Sequence, residues 1–298
     1  MNRWIKRAGV TVAVVVALAG VAATAGLVMA HQRMTRTVQV EGRVVAIPGD
    51  AAAIERGAYL FASRGCADCH GANGAGRMFI DTPDGLRVRG PNLTAGANSA
   101  TRDYRPADWD RAIRHGLSPT GRPLLIMPSE DYNRLTDADL GALVAYIRSL
   151  PATDGAPALV DLPLVPRLAY GFGAMRDAAA KIDHTLPPEA AVPEGLTLEH
   201  GRYVANACRG CHGLALAGGR IPGAPPEWPP APALVGGASI IASRYPDAAA
   251  FARMFKSGQR PDGTAVQVMP FESLRQMNDT DVAALHLYLA QGEGGDRR

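Results

Sequence analysis

Cys66-Ala67-Asp68-Cys69-His70 is the stretch that decides the fold of this 298-residue chain, and its pattern returns at Cys208-Arg209-Gly210-Cys211-His212. Each copy carries two thiols that can bond the vinyl groups of a porphyrin and an adjacent imidazole that can bind its iron. Together the copies contain all four cysteines of the chain. The sequence therefore predicts two covalently bound haem c groups, attached through Cys66, Cys69, Cys208 and Cys211.

Other uses of these cysteines compete with haem attachment. A zinc site would take four thiolates from the two pairs, but zinc gives no reason for a histidine directly after each second cysteine. A disulfide framework would leave both histidines unexplained. A thioredoxin-like redox pair needs a βαβ context, which neither motif shows. Haem is the interpretation that uses both cysteines and the histidine of each copy.

An internal repeat predicts the second axial ligand of each iron. The shift in residue number that places Cys66 on Cys208 also places Met127-Pro128 on Met269-Pro270, so the spacing from histidine to methionine is the same in both copies. The shift gives no such match for the other residues tested, which are Met78, Met254, Met277, His115 and His286. We therefore expect the metal ligands to be His70, Met127, His212 and Met269.

This ligand set also predicts the type of activity. A neutral thioether favours ferrous iron, and its presence raises the reduction potential relative to two histidine ligands. Because both axial positions are filled, no site remains for oxygen or peroxide. The expected role is electron transfer, with no catalytic residue.

Residues 1–31 predict a membrane anchor or signal. Arg3, Lys6 and Arg7 precede an uncharged apolar run from Val10 to Ala30, which as a helix would span roughly 31 Å, about the hydrocarbon thickness of a bilayer. A retained anchor in a bacterial inner membrane, with the haem domains in the periplasm, fits this length and charge. Val28-Met29-Ala30 would serve as a cleavage site, so a soluble periplasmic protein is the alternative.

The net charge of +3 reflects this topology more than a charged binding surface. Residues 1–49 hold six Lys or Arg and one acid, whereas residues 50–150 hold twelve of each sign. No basic face for nucleic acid is therefore indicated. The membrane, through the N-terminal helix, and redox proteins are the expected partners.

Helical periodicity, together with the capping residues, prolines and glycines that bound the helices, predicts an all-α fold of two tandem domains after the membrane helix. The predicted organisation is a connector (32–49), domain 1 (50–150), a Pro-rich linker (151–194) and domain 2 (195–298). Helices are expected at Ala52–Ser63, Ala107–His115 and Ala248–Ser257, and after the caps Thr136 and Asn278. Residues 37–47 alternate loosely as in a short strand, and the six prolines of residues 222–232 predict a loop over a haem edge. The linker is too apolar to be solvated, so we expect it to wrap domain 1.

The chain resembles the class I c-type cytochromes in its Cys-x-x-Cys-His motifs, later Met-Pro pairs and capped C-terminal helices. The resemblance covers residues 50–150 and 195–291. It implies a crossing of the first and last helix of each domain, around Gly57/Tyr59 with Tyr146 and Gly201/Tyr203 with Tyr288. It also implies that the carbonyl groups of Pro91 and Pro232 bind the histidines.

A narrower similarity points to the cytochrome subunits of membrane-bound bacterial alcohol, aldehyde and gluconate dehydrogenases. It rests on Gly57-Ala58-Tyr59-Leu60, Asn92-Leu93-Thr94, Trp109 and Arg114-x-Gly116. Those subunits typically carry three haems, whereas this chain has two motifs. The expected function is transfer of electrons from a dehydrogenase or quinol-oxidising complex to a terminal oxidase or soluble cytochrome. A dihaem peroxidase or thiosulfate-oxidising cytochrome with one labile ligand is the alternative, and a haem-based sensor is a weaker one.

Overall fold

A computed structural model describes residues 3–225 and 227–292 of the chain. Its α-helices are α1 (Arg3–Thr35), α2 (Ala51–Ser63), α3 (Cys66–His70), α4 (Pro106–His115), α5 (Asp137–Ser149), α6 (Leu164–Gly171), α7 (Leu198–Ala205), α8 (Arg209–His212), α9 (Ile240–Arg244), α10 (Ala248–Ser257), α11 (Phe271–Leu274) and α12 (Asp279–Ala290). Its strands are β1 (Arg77–Asp81), β2 (Arg87–Gly90) and β3 (Leu159–Asp161). The fold is therefore rich in helix, as predicted.

Helices α2 and α5 form a crossed pair that organises the first half. Asp50 and Thr136 cap them, each with a side-chain oxygen that accepts a backbone N–H three residues later. The helices touch at Gly57, where a Cβ would collide with the carbonyl oxygen of Ala142. The absent side chain of Gly57 therefore sets the crossing point, as the family resemblance implied.

Helices α7 and α12 repeat this arrangement in the second half. Asn278 caps α12, and a Cβ on Gly201 would collide with the carbonyl oxygen of Ala284. Each crossed pair contributes to a separate apolar core, which includes Leu60 and Leu143 in the first half and Val204 and Leu285 in the second. The two cores meet at Tyr203 of α7, which is buried in the cluster of the first half.

A small sheet departs from the predicted all-α fold. Strands β1 and β2 pair antiparallel through a turn closed by a hydrogen bond from the N–H of Thr82 to the carbonyl of Leu86. Strand β3 comes from the linker and pairs antiparallel with β2. The all-α prediction did not include this sheet: three short strands that are weak alone stabilise one another once the linker adds its edge.

The linker wraps the first half, as expected. The carbonyl of Thr153 accepts hydrogen bonds from the side chains of Asn92 and Thr94, at 2.8 Å each. Lys181 forms an ion pair with Glu130 farther along. The linker also contains α6, which packs against α1. These contacts fix the linker to the rest of the protein, so it is not a freely flexible connection between the halves.

Two other segments complete the comparison with the sequence. Residues 37–47 are extended but form no strand, so the prediction of a strand there is wrong. The N–H of Val38 donates to the carbonyl of Gly121. Val45 and Ile47 pack on the first core. Residues 222–225 and 227–232 contain no α-helix or strand, as predicted, and Pro226 lies outside the described residues. Helix α1 extends without interruption through the apolar run, and its most apolar stretch has a mean hydropathy of 2.4.

Candidate functional site

The two pentapeptides end in the same backbone geometry, although Cys66 begins an α-helix and Cys208 ends a 3₁₀-helix. Residues 66–70 form helix α3, and the second copy ends in helix α8. Each is followed by a glycine with positive φ, 76° at Gly71 and 80° at Gly213, a conformation that favours glycine. The chain then returns to donate a backbone N–H to the histidine carbonyl, from Gly76 to His70 and from Gly218 to His212. The repeated spacing in the sequence is therefore a repeated structure.

Both motif histidines are held by a proline carbonyl. His70 Nδ1 lies 2.9 Å from the oxygen of Pro91, and His212 Nδ1 lies 2.9 Å from that of Pro232. A carbonyl only accepts, so Nδ1 carries the proton in both rings and the lone pair of Nε2 is left for a metal. Burial lowers the pKa of each imidazole, with the proline bonds acting against it, so the neutral ligand form is favoured.

The repeated methionines pack on the core of their own half. Met127 and Cys66 contact the first core, and Met269 and Cys208 contact the second. In both copies the residue two positions after the methionine donates its N–H to the methionine carbonyl, at 2.9 Å. Met254 and Met277, in contrast, are buried members of the second core. Met127 and Met269 are thus partly buried at the edge of their cores, whereas Met254 and Met277 lie inside one.

The cysteines fit thioether attachment better than the competing uses. All four are free thiols, so they form no disulfide framework. Burial raises the pKa of Cys66 and Cys208 to about 12, so both are neutral thiols in the unmodified chain. Across residues 3–225 and 227–292, no group of three His, Cys, Asp or Glu side chains is arranged to hold a metal ion. The donors present are two thiols and one imidazole per site, which is the set that haem c needs.

Tyr59 and Tyr203 connect the two halves. The Tyr59 hydroxyl donates to Asp281 of α12 at 2.6 Å, and the Tyr203 hydroxyl donates to Asp139 of α5 at 2.6 Å. The resemblance placed both tyrosines at the helix crossing of their own half, whereas their hydroxyls bind the opposite half. The signal for this role was the repeated acid three residues after each cap, at 139 and 281, whose burial needs a donor from elsewhere.

At the same interface, each pentapeptide contacts the half of the chain that does not contain it. Gly210, inside the second motif, donates its N–H at 2.6 Å to Asp131, which follows the first Met-Pro pair. Asp68, inside the first motif, lies beside Ser273 of α11, which follows the second pair and acts against the rise that burial causes in the pKa of Asp68. These contacts are equivalent under the shift that relates the two copies, because 68 maps to 210 and 131 maps to 273. Each motif therefore lies beside the methionine segment of the other half.

Positive groups compensate the buried acids of this interface. Burial by itself would raise the pKa of Asp281, but the Arg64 charge and the Tyr59 hydroxyl bring it below its ordinary value. The pKa of Asp139 is likewise lowered against the effect of burial, by Arg56 and by Tyr203. Both carboxylates therefore stay ionised and hold their donors.

Four histidines outside the two motifs have polar partners in the folded chain. His115 Nδ1 contacts His184 Nδ1 at 3.0 Å, and His286 Nε2 bonds the carbonyl of Tyr245. His200 lies 3.0 Å from Asp281 in the second half.

Comparison with known proteins identifies the first half. Residues 54–151 match the family described as Cytochrome c. This chain therefore contains a cytochrome c domain, and the family implies covalently bound haem c. The matched region begins within α2 and ends just after α5, so it covers the crossed helices, the first pentapeptide and Met127.

Several relatives align over a longer region. The cytochrome c subunit of the quinone alcohol dehydrogenase of Gluconacetobacter polyoxogenes is 29% identical over 175 residues, which is 55% of this chain and 36% of that protein. The gluconate 2-dehydrogenase cytochrome c subunit of Pantoea cypripedii is 29% identical over 170 residues, 54% of this chain and 38% of that protein. A diheme cytochrome c-type protein of Cereibacter sphaeroides is 28% identical over 196 residues, 60% of this chain and 62% of that protein.

These similarities agree with the resemblance to dehydrogenase cytochrome subunits. The alignments cover 36% and 38% of the two dehydrogenase subunits, so this chain spans well under two thirds of their length. The relatives are cytochrome c subunits or a dihaem cytochrome, which are electron carriers and not enzymes. The alternative of a peroxidase or a thiosulfate-oxidising cytochrome receives no support from them.

Proposed function

We propose that the chain is a membrane-anchored dihaem c-type cytochrome. It carries electrons from a membrane or periplasmic dehydrogenase, or from a quinol-oxidising complex, to a terminal oxidase or a soluble cytochrome. The observation that carries the proposal is the pair of matched histidine–proline hydrogen bonds, 2.9 Å in each half. They prepare an iron ligand after both Cys-x-x-Cys-His motifs, including the one outside the matched family region.

In this proposal residues 50–150 and 195–298 are two cytochrome c domains, and the linker 151–194 joins them. Cys66 and Cys69 hold one haem with His70 and Met127 as axial ligands. Cys208 and Cys211 hold the other with His212 and Met269. Each haem supplies a one-electron ferric/ferrous couple. The protein contributes fixed imidazoles, soft thioethers and apolar cores that limit the access of water.

A dehydrogenase is the partner class favoured by the relatives, whose names describe subunits of alcohol and gluconate dehydrogenases. Oxidation of an alcohol to a carbonyl releases two electrons and two protons. Two haems in one chain would accept those electrons one at each site, while the protons leave to water. The reciprocal contacts between the motifs and the opposite methionine segments favour exchange between the two sites.

A retained N-terminal anchor in a bacterial inner membrane is part of the proposal, with the haem domains in the periplasm. Ala30, the last residue of the expected cleavage site, is 0% exposed and lies within the continuous helix α1. Leu168 and Phe172 pack against this part of the helix, a contact that cleavage after Ala30 would remove. The basic side chains near the start of α1 favour a cytoplasmic position for that end.

The ligand assignment is tested with a matched pair of substitutions. Met269→Leu preserves volume but removes the thioether, so the second haem should stay covalently bound, turn partly high-spin and shift to a lower reduction potential. Met277→Leu makes the same chemical change at a core residue 4% exposed, and should leave both potentials unchanged. Absorption spectra and redox titration measure both outcomes. An unchanged spectrum and potential in Met269→Leu would remove Met269 from the iron.

The number of haems is measured separately by intact mass and haem staining of the full chain. Two added haem masses are expected for the unaltered protein. Cys208→Ala with Cys211→Ala should leave one added mass. A single haem in the unaltered protein would refute the second site.

A further inference from the structure

The linker contains a segment that is docked on the anchor helix. We call residues 164–173 the elbow, which consists of α6 and the turn after it. A Cβ on Gly26 of α1 would contact Leu168 and Phe172, and one on Gly171 would collide with the carbonyl oxygen of Gly26. Gly26 and Ala30 are the buried residues of α1, and their four-residue spacing is the small-residue pattern that lets membrane helices approach closely.

The contact places the elbow at a definite depth along the anchor. Gly26 lies inside the apolar run that ends at Ala30. Four residues of helix separate the two, which corresponds to about 6 Å. If the apolar run fills the hydrocarbon core, Leu168 and Phe172 must lie at the periplasmic edge of that core. The surroundings of α1 at that level are therefore also the surroundings of the elbow.

The exposed side chains of the elbow suit a lipid environment. Leu164, Val165 and Phe172 are 56%, 75% and 54% exposed, although all three are large and apolar. Packing against α1 does not cover them, so in water they would form an unfavourable patch. A segment that buries such side chains about 5–10 Å into the boundary between headgroups and acyl chains is typical of an interfacial helix.

Polar contacts mark where the elbow leaves this layer. Gly173 has φ 81° and turns the chain back toward the guanidinium of Arg33. Beyond it, Arg36 binds the carboxylate of Asp177 through two hydrogen bonds of 2.7 and 2.8 Å. Arginine at this level suits the headgroup region, where its charge stays solvated. Arg167 is the one charged side chain of the elbow; it is exposed and lines a pocket with His31, Thr35 and Arg122, so its long stem lets the guanidinium reach the headgroup layer.

We propose that the elbow is a second membrane-contacting element, inserted into the periplasmic edge of the lipid bilayer beside α1. The inference rests on the retained anchor of the proposed function and goes beyond it. With one helix alone, the haem-binding body would be free to swing above the membrane. Two adjacent insertions, together with the Arg36–Asp177 pair, hold the body in one orientation, so the same face is presented to partners in the membrane plane.

Photocrosslinking in phospholipid nanodiscs tests the elbow and the anchor separately. The full-length holoprotein receives p-benzoylphenylalanine at one position at a time, at Phe172 or Val165 in the elbow. Val21, 68% exposed in the middle of the apolar run, is the position that reports the anchor. Leu214, 60% exposed in the second half, is the matched apolar control outside the membrane. Peptide mass spectrometry measures the fraction of each site bonded to lipid.

Lipid adducts at Phe172 and Val165 comparable to those at Val21, with Leu214 at background, are expected. Adducts at Val21 but only background at Phe172 and Val165 would overturn the inference and leave the anchor intact. Background at Val21 would instead refute the anchor and the elbow together. In native membranes, crosslinking of Phe172 to a protein in place of lipid would also overturn it, in favour of a protein partner.

A second variant relates the result to the packing on α1. Gly171→Val adds a side chain where even a Cβ collides with Gly26, so it should separate α6 from α1 and reduce lipid labelling at Phe172. Gly20→Val adds the same side chain where the protein has no atom within 4 Å, and should leave that labelling unchanged. Equal labelling in both variants would contradict the docking on which the insertion depth depends.

Discussion

Tyr59→Phe should weaken the contact between the two halves by an amount that the structure allows us to estimate. The substitution removes one hydroxyl, which donates at 2.6 Å to Asp281 and accepts the N–H of Asn278 at 3.1 Å. Asp281 is 0% exposed, so water does not replace the lost donor, but Arg64 still compensates its charge. A buried hydrogen bond to a charged group contributes about 1.5–3 kcal/mol, and we expect a loss of about 2 kcal/mol in the free energy of unfolding.

The assay is urea unfolding of the full chain in detergent, followed by far-UV circular dichroism. A loss of about 2 kcal/mol corresponds to about a thirtyfold change in the unfolding equilibrium constant, which is readily measured. Tyr203→Phe should give a similar loss, because its hydroxyl makes the equivalent bond to Asp139. In both variants the ring remains, so packing is preserved and the hydroxyl alone is tested.

Tyr104→Phe is the control for this experiment. Its ring also packs in the first half, against Trp109, but its hydroxyl makes no hydrogen bond to the described residues. Its loss should change the free energy of unfolding by less than about 0.5 kcal/mol. If Tyr59→Phe and Tyr104→Phe lose the same amount, the hydrogen bond across the interface provides no net stability, and the reasoning is refuted.

Three further predictions concern the helix crossings, the linker and pH. Gly201→Ala should destabilise the second half by at least about 1–3 kcal/mol because the new Cβ meets the Ala284 carbonyl, and thermal unfolding would measure this. Limited proteolysis of the native protein should leave Val160–Met175 intact, since that segment is held by β3 and by α1. Acid should destabilise the fold, because Asp139 and Asp281 have a pKa below the ordinary 3.8 in the folded state. Their contribution to stability is complete above pH 3.8 and is lost as the pH falls through the lower folded-state pKa. Unfolding midpoints measured across this pH range would show the loss.

Each of these predictions has a contrary outcome. Gly237→Ala, at a glycine with open space around it, is the reference for Gly201→Ala, and equal stability of the two would refute the crossing argument. Rapid cleavage between Val160 and Met175 would show that the linker does not wrap the first half. An unfolding free energy that stays constant below pH 3.8 would mean that Asp139 and Asp281 are not stabilised by their arginines and tyrosines.

Features encoded by neighbouring residues or by the repeat could be predicted from the sequence. The caps at Thr136 and Asn278, the crossing glycines and the bonds from Pro91 and Pro232 to the histidines all occur as expected. The caps follow from a local pattern that appears twice, whereas the crossing glycines and the proline–histidine bonds were expected from the resemblance to the class I c-type cytochromes. Prediction was therefore most accurate for the parts nearest the candidate haem sites.

Features that join distant segments were missed. Strand β3 is three residues long and acquires its partner only when the linker folds back on β2. Tyr59 lies 222 residues from its acceptor Asp281; the repeated acids at 139 and 281 signal that a donor is needed but not which residue supplies it. The small residues Gly26 and Ala30 were visible as part of an apolar run, but the sequence did not show which segment would pack on them. Tertiary pairing, and not local propensity, decides these elements.

The reciprocal tyrosine contacts have a consequence for association kinetics. The linker keeps the two halves in one molecule, so closing their interface is a unimolecular step, and even a short flexible connection would give an effective concentration in the millimolar range. An interface made of a few polar bonds can then remain closed although the same surfaces on separate chains would dissociate at cellular dilution. If it opens transiently, the halves reunite with their original partner and in the original register. Severing the linker would convert this rapid local equilibrium into a slow, concentration-dependent encounter.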